Sequence, residues 1–356
     1  MVYIKKYTVL LLCYFLLFDI TQSLIDPVTV SLAGVAFLGG YLYKNYNSKI
    51  FQNHKCCENI DFDGLEDDMN KLFFGQHIAS KIILSTLKGN FRRSKSNKKP
   101  LVMSLHGCTG VGKNYITNLI ANHIFVTEHS KKVQFHIING RSEFPDSSKI
   151  GEYKVKLLEK IYEAIKTCRT NLFVFDEITS VPRGILDVLI PILENNISAL
   201  DSRHSIFIFL TNTGEHAIIK QYLNLWKNGF TRDLMEVKHF DYILQTAVFN
   251  EPIITVLLNK LPRFITKIIY SSGGLRQSDI IDSHVIDHFV PFLPLEKSHV
   301  VQCIESELRM LKQEITEEII EKTLEIITFG PEPERLFSNA GCKRISQKVL
   351  QLVYDY

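Results

Sequence analysis

The stretch that most restricts how this chain can fold runs from Leu101 to about Phe125. Leu101 to Leu105 is apolar but for Ser104 and reads as a strand. A glycine-rich turn follows, Gly107-Cys108-Thr109-Gly110-Val111-Gly112-Lys113-Asn114, and a helix is predicted from Lys113 to about Phe125. In that order the pieces match G-x-x-x-x-G-K, a phosphate loop, with Asn114 where Ser or Thr is usual. The glycines allow backbone N–H groups to turn inward around a phosphate, and a helix N-terminus adds partial positive charge. Lys113 is placed to reach β- and γ-phosphates. Asn114 offers a carbonyl oxygen to Mg²⁺, directly or through water, as a weaker ligand than a hydroxyl. ATP with Mg²⁺ is therefore the expected cofactor, with low magnesium affinity and low turnover.

The second informative string is Leu172-Phe173-Val174-Phe175-Asp176-Glu177, about 60 residues after the loop. An apolar strand ending in two carboxylates delivers both to one sheet edge. Asp176 is expected to hold magnesium through water, and Glu177 to orient and polarise an attacking water. A third strand, within Ser205 to Leu210, ends in Thr211-Asn212. It is predicted to lie between the two motif strands, with Asn212 beside Glu177, although Asn after a strand is often only a turn former. Gly341-Cys342-Lys343 is expected to open the last helix, where Lys343 could fold back onto the γ-phosphate; taken alone, it reads as a surface lysine.

Around these motifs, β-rich and amphipathic runs alternate. Strands are predicted at Val133–Ile138 and Asn171–Phe175. Helices are predicted at Gly151–Thr167, with Val155, Leu158, Ile161, Tyr162 and Ile165 on one face, and at Pro182–Glu194. Alternation of this kind implies an α/β fold, a parallel sheet flanked by helices. After about Leu295 the β-rich runs stop, and Ser298–Met310, Glu317–Ile327 and Cys342–Leu352 read as helices. The expected division is a large nucleotide-binding domain over 56–295 and a small helical domain over 296–356. With 46% hydrophobic and 22% charged residues, the 356-residue chain is not a disordered one. A net charge of +3 and a solvated basic loop at Arg92–Lys99 give no stripe for a nucleic-acid partner.

The N-terminus reads as an address. Lys5 and Lys6 precede an apolar run from Tyr7 to Ile20, and Thr21-Gln22-Ser23 offers a cleavage point, so 1–23 is expected to be a signal peptide, with an uncleaved membrane helix as the alternative. Val28 to Tyr43 is a second apolar run, about 16 residues and too short to span a bilayer. Residues 24–55 are thus expected to be a membrane-associating segment and linker; a buried core helix is the plainer alternative for the run itself. Cys56, Cys57, Cys108, Cys168, Cys303 and Cys342 suit an oxidising compartment, and Asn196-Ile197-Ser198 is a glycosylation sequon.

Together these strings resemble the AAA+ ATPases, and more narrowly the torsin family, a Clp-related branch of the endoplasmic reticulum and nuclear envelope. The Asn114 ending of the phosphate loop, Gly75-Gln76-His77-Ile78-Ala79 before it, Val290-Pro291-Phe292-Leu293-Pro294-Leu295-Glu296 at the domain junction and Gly341-Cys342-Lys343 all look like torsin motifs. The resemblance implies a P-loop AAA+ domain, a sensor-2 role for Lys343, and a chaperone-like ATPase that remodels proteins or assemblies in the endoplasmic reticulum lumen and perinuclear space. It implies homo- or hetero-oligomers. It also implies that Cys342 pairs with Cys303 as a redox-responsive disulfide, and Cys168 with Cys56 or Cys57. Clp relatives carry an Asn-Arg before the Ile-Asp of the junction; here His284-Val285 precede Ile286-Asp287. The missing arginine implies slow hydrolysis alone and partners among the luminal domains of membrane proteins that supply one. Phe144-Pro145 and Gly151-Glu152-Tyr153 match a threading loop poorly. The competing reading is a nucleotide-gated binding module whose hydrolysis is incidental; a small-molecule kinase would leave the helical domain unexplained.

Overall fold

Five short apolar strands set the architecture of the computed structural model, which describes residues 56, 60–195, 197, 200–244 and 284–354. They are β1 (Leu101–His106), β2 (Phe135–Asn139), β3 (Leu172–Asp176), β4 (Ile206–Thr211) and β5 (His288–Pro291). All pair in parallel, in the order β2-β3-β4-β1-β5. The strand ending in Thr211 therefore lies between the two motif strands, as the sequence predicts. β1 and β4 are buried along their whole length, because helices cover both faces and alternation is not needed. Phe173 stacks on Phe207 and Phe175 on Phe209, each with centroids 4.9 Å apart, on one face of the sheet. The signal peptide (1–23), the membrane-associating segment (24–55), Cys57 and Asn196 lie outside the described residues.

The helices differ from their predicted outlines where backbone geometry overrules periodicity. Helix Ile150–Thr167 buries Tyr153, Leu157, Ile161, Ala164 and Ile165, whereas Val155 is 55% exposed. Its inward stripe is turned from the expected one, with Leu158 and Tyr162 only flanking the core. The single helix expected over Pro182–Glu194 is a 3₁₀ turn at Leu186–Leu189 followed by a short helix at Ile190–Leu193. Gly184, at φ +83°, turns the chain out of helical conformation just before it. A helix at Glu128–Gln134 precedes β2 and shortens the strand expected from Val133. Its start is held by a capping box between Thr127 and Ser130.

After the sheet, helices Lys297–Met310, Glu317–Glu325 and Ile345–Tyr354 enclose their own apolar cluster of Val300, Ile304, Leu308, Ile345 and Val349. The β-rich runs do not stop completely at Leu295: Phe329–Gly330 and Phe337–Ser338 pair as a short antiparallel ribbon. Among the described residues, disulfides join Cys56 to Cys168 and Cys303 to Cys342. Cys168 thus takes Cys56, and Cys57 is not its partner. Among the described residues, no helix is long and apolar enough to cross a membrane.

Candidate nucleotide site

Parallel pairing brings the C-terminal ends of β1, β3 and β4 to one edge, where open α/β sheets bind ligands. The loop after β1 depends on its glycines. Gly110 and Gly112 have φ of +78° and +101°, and a Cβ on Gly110 would lie 2.0 Å from the Ala340 carbonyl oxygen. Gly112 opens helix Lys113–Ile124 with no side-chain cap bond, so the first N–H groups of that helix face the loop. Lys113 is 8% exposed, and its ammonium donates to the Gly107 and Cys108 carbonyls at 2.5 and 2.7 Å and to Asn212 Oδ1 at 2.9 Å. Burial lowers its pKa to about 8, opposed by Cys108, Glu215 and Asp176 and reinforced by the nearby charge of Lys343. Cys108 is buried and its thiol is pushed up to about 12, chiefly by burial, which makes it a packing residue.

Asn114 and Asp176 meet directly, the Asn114 Nδ2 donating to Asp176 Oδ2 at 2.7 Å. The Asn amide thus presents its nitrogen to the carboxylate; its oxygen is the atom expected toward a metal. Mg²⁺ binds through one or two side chains plus phosphate oxygens and retained waters, a donor set that this pair can complete. Asn212 directly follows β4, the neighbour of the strand that delivers Glu177. Its hydrogen bonds run to Lys113 and, at 3.3 Å, from its Nδ2 to Thr109 Oγ1, and among the described residues none runs to Glu177. The reason is the buried ammonium, which needs acceptors more than an exposed carboxylate needs an amide. Glu177 itself sits at φ +50°, and its carboxylate pairs with Arg141 Nε at 3.3 Å.

Lys343 lies in the turn before the last helix rather than on it. Gly341, at φ +53°, breaks the helix there, and its carbonyl accepts from Ser338 Oγ. The turn docks on the phosphate loop: the Cys342 N–H donates to the Gly110 carbonyl at 3.0 Å, and the Gly341 Cα side abuts the Gly110 backbone. Cys342 carries the disulfide to Cys303. The Gly75-Gln76 segment is tied in from the other side. Gln76, 1% exposed, donates to the Val111 and Leu293 carbonyls and accepts from the Leu293 N–H. Arg232 had no signal in the sequence, yet its guanidinium binds the Gly75 and Pro294 carbonyls and so joins the two torsin-like strings. Arg141 was equally silent, because it lies in no motif.

At the arginine position of Clp relatives, Val285 is buried at 2%, while Asp287 pairs with Lys99 and accepts from the Val102 N–H. The candidate threading aromatics are also occupied. Phe144 and Tyr153 are buried against each other, and the Tyr153 hydroxyl accepts from the Asp146 N–H.

The family model "Torsin" matches residues 49–175, and "Torsin-1A, C-terminal domain" matches 295–352. The chain is 31% identical to a torsin-like protein of Drosophila melanogaster over 93% of both chains. It is 32% identical to a torsin-like protein of Caenorhabditis elegans over 83% of this chain and 79% of that one. Its fold matches the Saccharomyces cerevisiae Hsp104–ADP complex at TM-score 0.50 and 15% identity, covering 93% of this chain and about half (53%) of that one. With two family models matched and 31% identity to a torsin-like protein over 93% of both chains, this protein belongs to the torsin family, on the AAA+ nucleotide-binding fold.

Proposed function

We propose that the chain is a Mg²⁺-dependent ATPase of the endoplasmic reticulum lumen and nuclear envelope that turns over slowly alone and remodels proteins or membrane-bound assemblies. The observation that carries this reading is the meeting of three elements at one point. The loop carrying Lys113, the strand end carrying Asp176 and Glu177, and the Gly341–Lys343 turn converge at the C-terminal edge of the sheet. When bound, the nucleotide supplies an activated phosphoanhydride, and Mg²⁺ neutralises charge on its oxygens. Lys113 and the uncapped helix N-terminus would bind its phosphates, and Asn114 with Asp176 would hold the metal through water. Glu177 would accept a hydrogen bond from the attacking water and orient it. Asn212 fixes Lys113 and the Thr109 hydroxyl, and Lys343 reports the loop's state to the helices after Glu296.

Two further parts belong to the proposal. No arginine stands at the junction, so a luminal domain of a membrane-protein partner supplies one, worth about 10³–10⁵ in rate in well-studied nucleotide hydrolases. Residues 1–23 act as a signal, 24–55 associate with the membrane, and Asn196 carries a glycan; both disulfides suit that compartment. The second reading, a nucleotide-gated binding module, is favoured by the Cys342–Gly110 hydrogen bond, which couples the loop to the small helices without any need for hydrolysis.

Phosphate release by the purified chain, alone and with a luminal domain carrying a candidate arginine, tests the proposal with Glu177→Gln as blank. The ATPase reading expects turnover below ~1 per second alone, rising with the arginine-bearing domain by the factors known for arginine fingers. Fast turnover alone would end the arginine hypothesis. ATP binding without turnover in either mixture would leave the gated module.

A further inference from the structure

We propose that His106 is a positioning residue for hydrolysis: from the last place on β1 it ties down the turn that carries Asn212, and so keeps Asn212 on Lys113; this rests on the ATPase reading above. His106 is fully buried, and its Nδ1 lies 3.0 Å from the Thr213 carbonyl oxygen. A carbonyl only accepts, so Nδ1 carries the proton and donates the hydrogen bond. Nε2 is then a bare lone pair, and it has no partner among the described residues. A strand buried along its whole length has no use for such a nitrogen, and a leucine would fill the place without one. The donor at Nδ1 is what the position gains from a histidine.

The bond holds a turn that lies past the end of the ladder. β1 and β4 pair as far as His106 opposite Thr211. Beyond that pair the chain closes on itself. The Thr213 N–H donates to Thr211 Oγ1 at 3.0 Å, the two threonine hydroxyls bond at 2.9 Å, and the Glu215 N–H donates to the Asn212 carbonyl at 3.1 Å. Gly214, at φ +82°, then turns the chain into helix Glu215–Lys227. The Asn212 side chain reaches back to the phosphate loop, accepting from Lys113 at 2.9 Å and donating to Thr109 Oγ1 at 3.3 Å. His106 is itself held by its backbone, whose carbonyl accepts from the Phe292 N–H at 2.7 Å. Its ring is thus a fixed post, immediately before Gly107, for a residue next to Asn212.

The chemistry gives the direction. Burial pushes the imidazole down to about 4, opposed by the bond to Thr213 and reinforced by the charge of Lys113, so the ring is neutral at pH 7. A neutral tether adds no charge beside the ammonium that must meet phosphate. Without it the turn relaxes, Asn212 leaves Lys113 more often, and the ammonium falls back on the carbonyls of its own loop. The backbone N–H groups of the loop still hold the ground-state phosphates, so binding changes little. The aim of Lys113 counts when charge develops in the transition state. The expected loss is about 2–10-fold in rate, the fold-change that one net hydrogen bond is worth.

Single-turnover hydrolysis of ATP with Mg²⁺, the full chain in excess, tests this on wild type, His106→Leu, His106→Asn and His106→Gln, with Glu177→Gln as blank. ATP affinity and thermal midpoint are measured alongside. Asn puts its amide nitrogen where histidine has Nδ1, and Gln puts it where histidine has Nε2. His106→Leu and His106→Gln should be about 2–10-fold slower than wild type at unchanged affinity, and His106→Asn should recover most of the rate. Adding His106→Leu to Asn212→Ala should slow that chain no further. His106→Leu at the wild-type rate, His106→Asn no faster than His106→Gln, or a slowing that adds to that of Asn212→Ala would each overturn the role and leave the ATPase reading in place. Wild type itself at the blank would overturn the ATPase reading and this role with it. Should the His106 variants not fold, the ¹⁵N NMR spectrum of the histidine-labelled wild-type chain decides. A proton on Nδ1 of His106 upholds the tether, and a proton on Nε2 overturns it.

Discussion

Lys113 is a buried ammonium surrounded by acceptors from its own loop and from Asn212. With its pKa lowered to about 8, mainly by burial, it is charged below that pH and loses its proton as pH rises through it. ATP affinity should therefore be steady from pH 6 to 7 and fall from pH 8 upward. A bound phosphate raises the lysine's pKa again, which spreads the fall toward higher pH. Fluorescence titrations across that range check this, and a flat profile to pH 9.5 would contradict it. Gly110 makes the second prediction at this scale. Gly110→Ala forces a Cβ into the Ala340 carbonyl at φ +78°, so the variant should lose ATP affinity and more than about 1 kcal/mol of stability. Its denaturation midpoint and its affinity should move together.

At the scale of the element, strands were more legible than helices, for a physical reason. β1, β3 and β4 are buried on both faces, so each reads as a continuous apolar run that only a central parallel strand satisfies. Phe209→Ala, which removes a ring stacked on Phe175, should cost about 3–5 kcal/mol in chemical denaturation with the slope unchanged. Helix Ile150–Thr167 was legible in length and in the burial of Ile161 and Ile165, but Val155 lies two positions from both Tyr153 and Leu157 and so falls on the opposite side of the helix. The break at Gly184 and the ribbon at Phe329–Ser338 were not legible: neither carries a period. Within the site, the phosphate loop and the Asp176-Glu177 pair stood out because their chemistry needs residue types at fixed spacing. Arg141 and Arg232 did not, since each acts through a contact made only when distant segments meet. The bond from Lys113 to Asn212 was not legible for the same reason: no sequence signal says that Lys113 is short of acceptors.

For the whole molecule, the important contact is the one between the phosphate loop and the Gly341–Lys343 turn, with the Cys303–Cys342 disulfide immediately behind it. Opening that disulfide frees the turn that donates to Gly110, so reduction, or a Cys303→Ser/Cys342→Ser chain, should change nucleotide affinity measurably. A Cys56→Ser/Cys168→Ser chain should instead keep its affinity and lose about 2–5 kcal/mol of stability, since that bridge closes a long loop away from the nucleotide edge. Equal effects of the two double variants on affinity would remove the special role of the turn.

Calorimetric titration of ATP with Mg²⁺ into the wild-type chain and into Lys113→Ala tests the central claim most directly. Wild type should bind one nucleotide per chain. Lys113→Ala should bind at least tenfold more weakly, as loss of a charge-assisted hydrogen bond of about 1.5–3 kcal/mol requires. Equal affinity in the two chains, or no binding by wild type, would mean that the loop between Gly107 and Asn114 is not where this protein meets its nucleotide.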